Sequence, residues 1–286
     1  MKPFFTIKIL TLLVLGLCAI GNTQQPPPQE ASKGDKKPGK PFAVRISPMD
    51  GAEMVWIPEG EFKMGSNEVI SFNPEQPAHQ VFLDGYWIYK NVVTVAQYKK
   101  FCEKTQHTLP EAPKWGWKDD HPVVSVMWKE AKAYCEWVGG QLPTEAQWEK
   151  AARGTDGRRF PWGDTWDAEC AQSSKIRPGS VGGTAPAGSH TKGASPYGVL
   201  DMAGNVFQWC SDWYDAKYYE HSPPKNPTGP ETGMERVIRG GGWNVHIQNF
   251  FRTSMRFRYE PDISGHNGGF RCVVLGPPPT KEELQK

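Results

Sequence analysis

After Gly154 no run of apolar residues holds a helical period for more than two turns, and Gly, Pro or Asn recurs every few residues to the end of the chain. The second half must therefore fold from short strands and loops. Segments of this kind need large anchors to hold them together, and the 12 Trp residues, all between Trp56 and Trp243, can supply them. With 30 Gly and 26 Pro in the chain, the expectation is a loop-rich α+β domain with few long regular elements.

The first half carries sharper local signals. Thr94-Val95-Ala96-Gln97 and Thr144-Glu145-Ala146-Gln147 both match a Thr-x-x-Gln capping box, in which the hydroxyl accepts from the third helical N–H and the Gln reaches back to the cap. The first predicts a helix carrying Tyr98, Phe101 and Cys102; the second predicts one carrying Trp148, Ala151 and Ala152 and ended by Gly154. Between them Trp128, Ala131, Tyr134, Cys135 and Val138 recur at helical spacing up to Gly139-Gly140. Earlier, Met54–Pro58 and Gly60–Gly65 alternate around a turn and read as a hairpin, and His79–Ile88 reads as two short strands broken at Asp84-Gly85.

The ends differ in composition from the middle. Residues 1–21 read as an export signal, with Lys2 and Lys8 flanking an apolar run too short to span a bilayer and a small-residue cleavage site ending at Gly21. The expected location is periplasmic or secreted; the alternative is a lipoprotein anchored through Cys18, the one route to membrane association. Residues 22–45, rich in Pro, Gln and Lys, read as a disordered linker, and 277–286 as a flexible tail, leaving a single domain over 46–276. A formal charge of +2 argues against a nucleic-acid surface. Loss of Cys18 with the signal leaves Cys102, Cys135, Cys170, Cys210 and Cys272, with no C-x-x-C and no paired His at ligand spacing, so no sequence-local zinc or iron site is indicated.

Four stretches carry a resemblance: PVVSVMWKEAKAYCEWVGGQLPTEAQWEKAARG (122–154), FPWGD (160–164), YGVLDMAGNVFQWCSDWY (197–214), and RVIRGGGW (236–243) followed by GGFRC (268–272). In this order and spacing the chain resembles the sulfatase-modifying-factor family of the formylglycine-generating enzymes. The resemblance implies a compact variant of the C-type lectin fold. It also implies a catalytic loop after the glycine motif, where a cysteine pair binds copper and exchanges with a substrate cysteine, because soft thiolates suit Cu(I) and only sulfur exchanges with a thiol.

Here that loop, Trp243 to Arg252, contains no cysteine. Val245 stands at the first family position, the second falls near Gln248 or Phe250, and Gly242 replaces a family serine. Copper is therefore not expected. The expected function is a protein- or glycan-binding or envelope-assembly module without formylglycine-generating activity; the alternative is an active oxidoreductase converting a sulfatase cysteine to formylglycine. An iron-dependent sulfoxide synthase of related fold would need a histidine-rich motif that is missing. A binding cleft is expected around Trp243, His246, Phe250, Arg252 and Arg256, rimmed also by Trp115 and Trp117. Arg239, Arg252, Arg256 and Arg271 could line an anionic cleft, but they are more readily explained by structural pairing with acids of the DMAGN and PTEAQWE stretches. The resemblance further implies a calcium loop at Asp201, Gly204, Val206 and Gln208, weakened by Gln in place of Glu. A second such site, at Gln172 and Gly179, is too altered to expect. Cys135 and Cys272 match a disulfide of some members.

Overall fold

The computed structural model describes residues 42–68, 73–174 and 182–284. The export signal, Cys18 and nearly all of the linker lie outside them, as does Gly179. The strands are β1 (Val44–Ile46), β2 (Glu53–Ile57), β3 (Gly60–Met64), β4 (His79–Leu83), β5 (Tyr86–Tyr89), β6 (Phe207–Trp213), β7 (Arg236–Arg239), β8 (Phe257–Tyr259), β9 (Gly268–Gly269) and β10 (Val273–Val274). The helices are α1 (Val95–Thr105), α2 (Trp128–Trp137) and α3 (Glu145–Arg153), each where the capping and periodicity signals put it. Both Thr caps accept from the N–H three residues on, Thr94 from Gln97 at 3.3 Å and Thr144 from Gln147 at 3.1 Å.

The strand pairing departs from the sequence reading. Strands β2 and β3 are present but do not form a hairpin with each other. Instead β2 pairs with β5 and β3 with β4, and one antiparallel register runs through both pairs, from Met54↔Tyr89 and Ile57↔Tyr86 to Gly60↔Leu83 and Met64↔His79. The two segments are the arms of one long ribbon, interrupted where Pro58-Glu59 faces Asp84-Gly85. The interruption is built in. A Cβ at Gly85 would come within 2.3 Å of the Trp56 indole, and Lys150 of α3 donates to the carbonyls of Pro58 and Gly60, both at 2.8 Å, where ladder partners are missing.

The first sheet has the order β1-β2-β5-β10 and the second β8-β7-β6-β9, with β6 and β9 parallel. Central strand β5 is buried throughout and divides the core by its period of two. Tyr86 and Ile88 face a cluster with Val55, Phe62 and Trp148, while Trp87 and Tyr89 face one with Tyr98, Phe101 and Tyr134. Two expected boundaries also shift. Residues from Val44 are already strand, and the C-terminal segment is tied down: Arg45 donates to both oxygens of Glu283 (2.9 and 3.1 Å) and Trp87 Nε1 donates to Pro277 O at 3.1 Å. Composition hides these bonds because each rests on one long-range partner.

Every residue of α3 is buried, including its four charged ones. Glu149 accepts from Gly65 N (2.8 Å), Arg153 (2.7 Å) and Arg239. Glu145 pairs through both oxygens with Arg256 at 2.8 and 2.9 Å. Arg153 donates to the carbonyls of Lys63 and Gly65 at 3.0 and 2.7 Å. From β6, Asp212 accepts from the Glu145 N–H at 2.9 Å; burial and then the neighbouring Glu145 push its carboxyl up to about 7.

Replacing Glu149 with Ala strands Arg239 and Arg153 beside an empty partner position, and the expected loss is about 3–5 kcal/mol. It reads out as a lower denaturant midpoint with an unchanged m value; a loss below about 1 kcal/mol would deny the network its role. Asp212 sets a pH dependence of known sign. Its pKa is higher folded than unfolded, so its stabilising contribution is complete below about pH 4 and disappears as pH rises through about 7. Asp212→Asn should therefore gain on the parent protein as pH rises across that window, and parallel stability profiles would contradict the assignment.

Candidate functional site

The segment from Gly240 to Phe251 is a loop fixed at its stems by guanidinium groups. Arg239, at the end of β7, donates to three successive carbonyls on the returning strand, Thr253 (2.8 Å), Ser254 (3.0 Å) and Met255 (2.9 Å), and so closes the loop's base. Gly240 and Gly241 turn the chain away with φ of 92° and 75°, a conformation glycine adopts without steric cost. On the returning side Arg252 holds Glu75 through both carboxylate oxygens at 2.8 and 2.6 Å.

The five residues expected to form one cleft do not share one, although Phe250 and Arg256 line the same cavity. Arg252 and Arg256 are buried and ion-paired, so they hold the loop, and Arg256 also borders the cavity that Phe250 lines. Trp243 packs edge-on to Trp115 at 5.2 Å and donates to His266 O at 2.9 Å. Phe250 faces Phe257 at 5.4 Å in a cavity of about 1010 Å³ that it shares with Pro74, Pro77, Tyr214 and Arg258. His246 and Gln248 are exposed and line a separate cavity of about 870 Å³ with Trp162, Trp166, Asp164 and Asp167. The reason is geometric: a loop this short presents successive side chains to different sides.

Val245, expected at the first family cysteine position, is half-buried and packs against the cluster of Phe160, Ala171, Ala203 and Phe251, against which Trp162 and Trp166 also pack. A Cβ at Gly242 would meet Phe207 Cδ2 at 3.1 Å, Asn244 Oδ1 at 3.2 Å and Asn267 O at 3.3 Å, so the surroundings have closed on the glycine. Among the described residues no cysteine lines either cavity. Cys135 and Cys272 do meet, with sulfurs 2.8 Å apart, but both are fully buried between α2 and β10. Burial pushes the Cys170 thiol up to about 11 and raises the Cys210 thiol well above its ordinary range, which suppresses their thiolates.

The four positions implied for calcium do not suit a cation as they are arranged. Gln208 Oε1 already accepts from Trp148 Nε1 at 2.9 Å and from the Arg271 guanidinium at 2.7 Å, so its amide N–H2 is turned toward Asp201 and donates to the Asp201 carbonyl at 2.6 Å. A donor stands where a cation needs an acceptor. Asp201 is buried, which raises its carboxyl, and one of its oxygens accepts from Gly188 N at 2.7 Å. Arg271 completes the knot by donating to the carbonyls of Tyr89, Lys90 and Leu200 at 2.8, 3.1 and 2.6 Å. Among the described residues no group of three or more His, Cys, Asp or Glu could hold a metal.

Sequence reasoning missed Glu75, which lies in no motif, and Trp166, Asp164 and Asp167. The FPWGDTWD run could have flagged the last three as an aromatic-acidic cluster.

Three comparisons bear on this site. The family described as the sulfatase-modifying factor enzyme 1-like domain matches residues 43–275. A formylglycine-generating enzyme of Streptomyces coelicolor is 34% identical over 77% of this chain and 88% of its own length. A serine/threonine-protein kinase pkn1 of Chlamydia pneumoniae is 34% identical over 85% of this chain, which spans 40% of that protein. Among solved structures, PvdO from Pseudomonas aeruginosa superposes with a TM-score of 0.72 at 26% identity, covering 82% of this chain and 98% of PvdO.

Because the Gln208 amide already ties Asp201 to Arg271, the melting temperature should be the same in calcium and in chelator. Gln208→Glu removes the donor toward Asp201 and adds an acceptor. It should melt several degrees lower in chelator and recover part of the loss in calcium; a parent protein that itself melts higher in calcium would refute the reading.

Proposed function

The chain belongs to the sulfatase-modifying factor enzyme 1-like family and has its C-type-lectin-like fold, and we propose that it is an exported binding domain of that family that does not generate formylglycine. The observation that carries this reading is a half-buried Val245 packed against the apolar cluster that holds Phe160 and Phe251. A branched aliphatic side chain cannot bind Cu(I) or exchange a disulfide, and neither Gln248 nor Phe250 supplies the second sulfur. The closed surroundings of Gly242 point the same way.

The fold without the oxidase thiols remains a stable frame that presents surface cavities, and its expected partner is a protein or glycan outside the cytoplasm. The kinase relative supports this use of the domain, since there the matching segment is part of a protein named for a different activity. In an oxidising compartment Cys135 and Cys272 would form a disulfide joining α2 to β10, a structural and not a catalytic bond.

The competing reading is an active formylglycine-generating oxidoreductase, favoured by the names of the Streptomyces and other relatives. It requires a thiol pair at the loop. Purified protein loaded with Cu(I) and given a peptide containing Cys-x-Pro-x-Arg should leave the peptide mass unchanged, whereas a known formylglycine-generating enzyme run in parallel converts it. Protein-dependent loss of the cysteine sulfur, seen by mass spectrometry, would overturn the proposal.

A further inference from the structure

The cavity beside His246 has a makeup that the loop's history does not explain. Its floor is a pair of half-buried indoles, Trp162 and Trp166, with ring centroids 5.6 Å apart and planes inclined at 60°. Each indole is backed by a buried phenylalanine: Phe160 stacks on Trp162 at 5.4 Å and 8°, and Phe251 on Trp166 at 5.1 Å and 28°. The Trp162 N–H is spent on Thr165 O at 2.9 Å, so what remains for the cavity is ring surface. The corner is therefore rigid before any ligand arrives.

Two exposed carboxylates stand at its rim, each fixed through one oxygen. Asp164 accepts from Arg159 N and Asp167 from Glu169 N, both at 2.9 Å. Among the described residues no Lys or Arg lines the cavity. Cations on neighbouring elements are engaged: Arg159 pairs with Glu68 at 2.8 Å and Lys192 with Glu169. Lys192 also acts on Asp167 from outside the hollow. Indole faces and two carboxylates around one hollow, with no Lys or Arg among its described lining residues, still favour a cation that is itself weakly hydrated. The ring quadrupole and the acids both attract positive charge, while alkyl groups lose little on leaving water.

We propose that the cavity lined by Trp162, Trp166, Asp164, Asp167, His246 and Gln248 binds an alkylammonium group of the choline type, free or as a lipid head group. The proposal deepens the binding-domain reading and rests on it, since it names the class of ligand the loop's flank would take.

Choline, titrated into the full chain by calorimetry and followed by saturation-transfer NMR, should bind, while its neutral isostere dimethylbutanol should not. Asp164→Asn with Asp167→Asn keeps both backbone-accepting oxygens, so folding is preserved, and should weaken choline binding by about tenfold or more at low salt. Trp162→Leu should do the same, with the melting temperature as a check on folding. Co-sedimentation with phosphatidylcholine but not phosphatidylglycerol vesicles would assign the lipid source; binding of free choline without it would assign a soluble one. Equal binding of the isostere, no choline binding at millimolar concentration, or unchanged affinity in the folded variants would each overturn the proposal. The peptide assay is independent: formylglycine formation would end the non-oxidase reading without touching the choline titration, and failed choline binding would leave that assay's outcome intact.

Discussion

The structure depends on a helix whose charged groups all point inward. Helix α3 places Glu145, Glu149, Lys150 and Arg153 out of water, where an isolated charge would cost several kcal/mol, and every one is matched by a charge or by carbonyls of another segment. An apolar helix of the same volume could stabilise the core as well. It could not satisfy the carbonyls that a loop-rich fold leaves without ladder partners. Lys150 covers the break in the β2–β5 and β3–β4 ribbon, Arg153 takes the carbonyls at the end of β3, and through Glu149 the helix aims Arg239 at the carbonyls of residues 253–255. Burial of Lys150, which pulls its ammonium down to about 8, is the cost of that service.

How much of this was legible in the sequence follows from how local each signal is. Helix starts were readable because a capping box is complete within four residues. Strands β2, β3, β4 and β5 were readable one by one from their alternation, but their pairing was not. A turn at Pro58-Glu59 suits a hairpin as well as a ribbon break, and the choice is made by Lys150 about ninety residues away. The arginines show the same limit. Pairing of Arg239 with Glu149 links two recognisable motifs and that of Arg256 with Glu145 reaches one of them, whereas Arg252 finds Glu75, which nothing in its neighbourhood marks.

Site residues were legible by absence more than by presence. That the loop lacks sulfur is visible in the letters, but where Val245, His246 and Phe250 face is decided by the loop's path, and they face an aromatic cluster and two separate cavities. Gln208 illustrates a subtler point. Read as a residue type, glutamine is a weaker version of glutamate for holding a cation. In place, with Arg271 and Trp148 both donating to its oxygen, it has only N–H left to offer Asp201.

These features leave the loop's side chains free to vary while the fold persists. The loop from Gly240 to Phe251 is held at its base by bonds from Arg239 to backbone carbonyls and by the Arg252–Glu75 pair, none of which involves the side chains at 245, 248 or 250. A change of side chain at those positions therefore removes no contact that the stems need. Val245 instead adds apolar burial against the cluster of Phe160 and Phe251. Phe160 and Phe251 of that cluster stack on the two indoles, and a braced aromatic corner beside two carboxylates is a surface suited to holding a ligand.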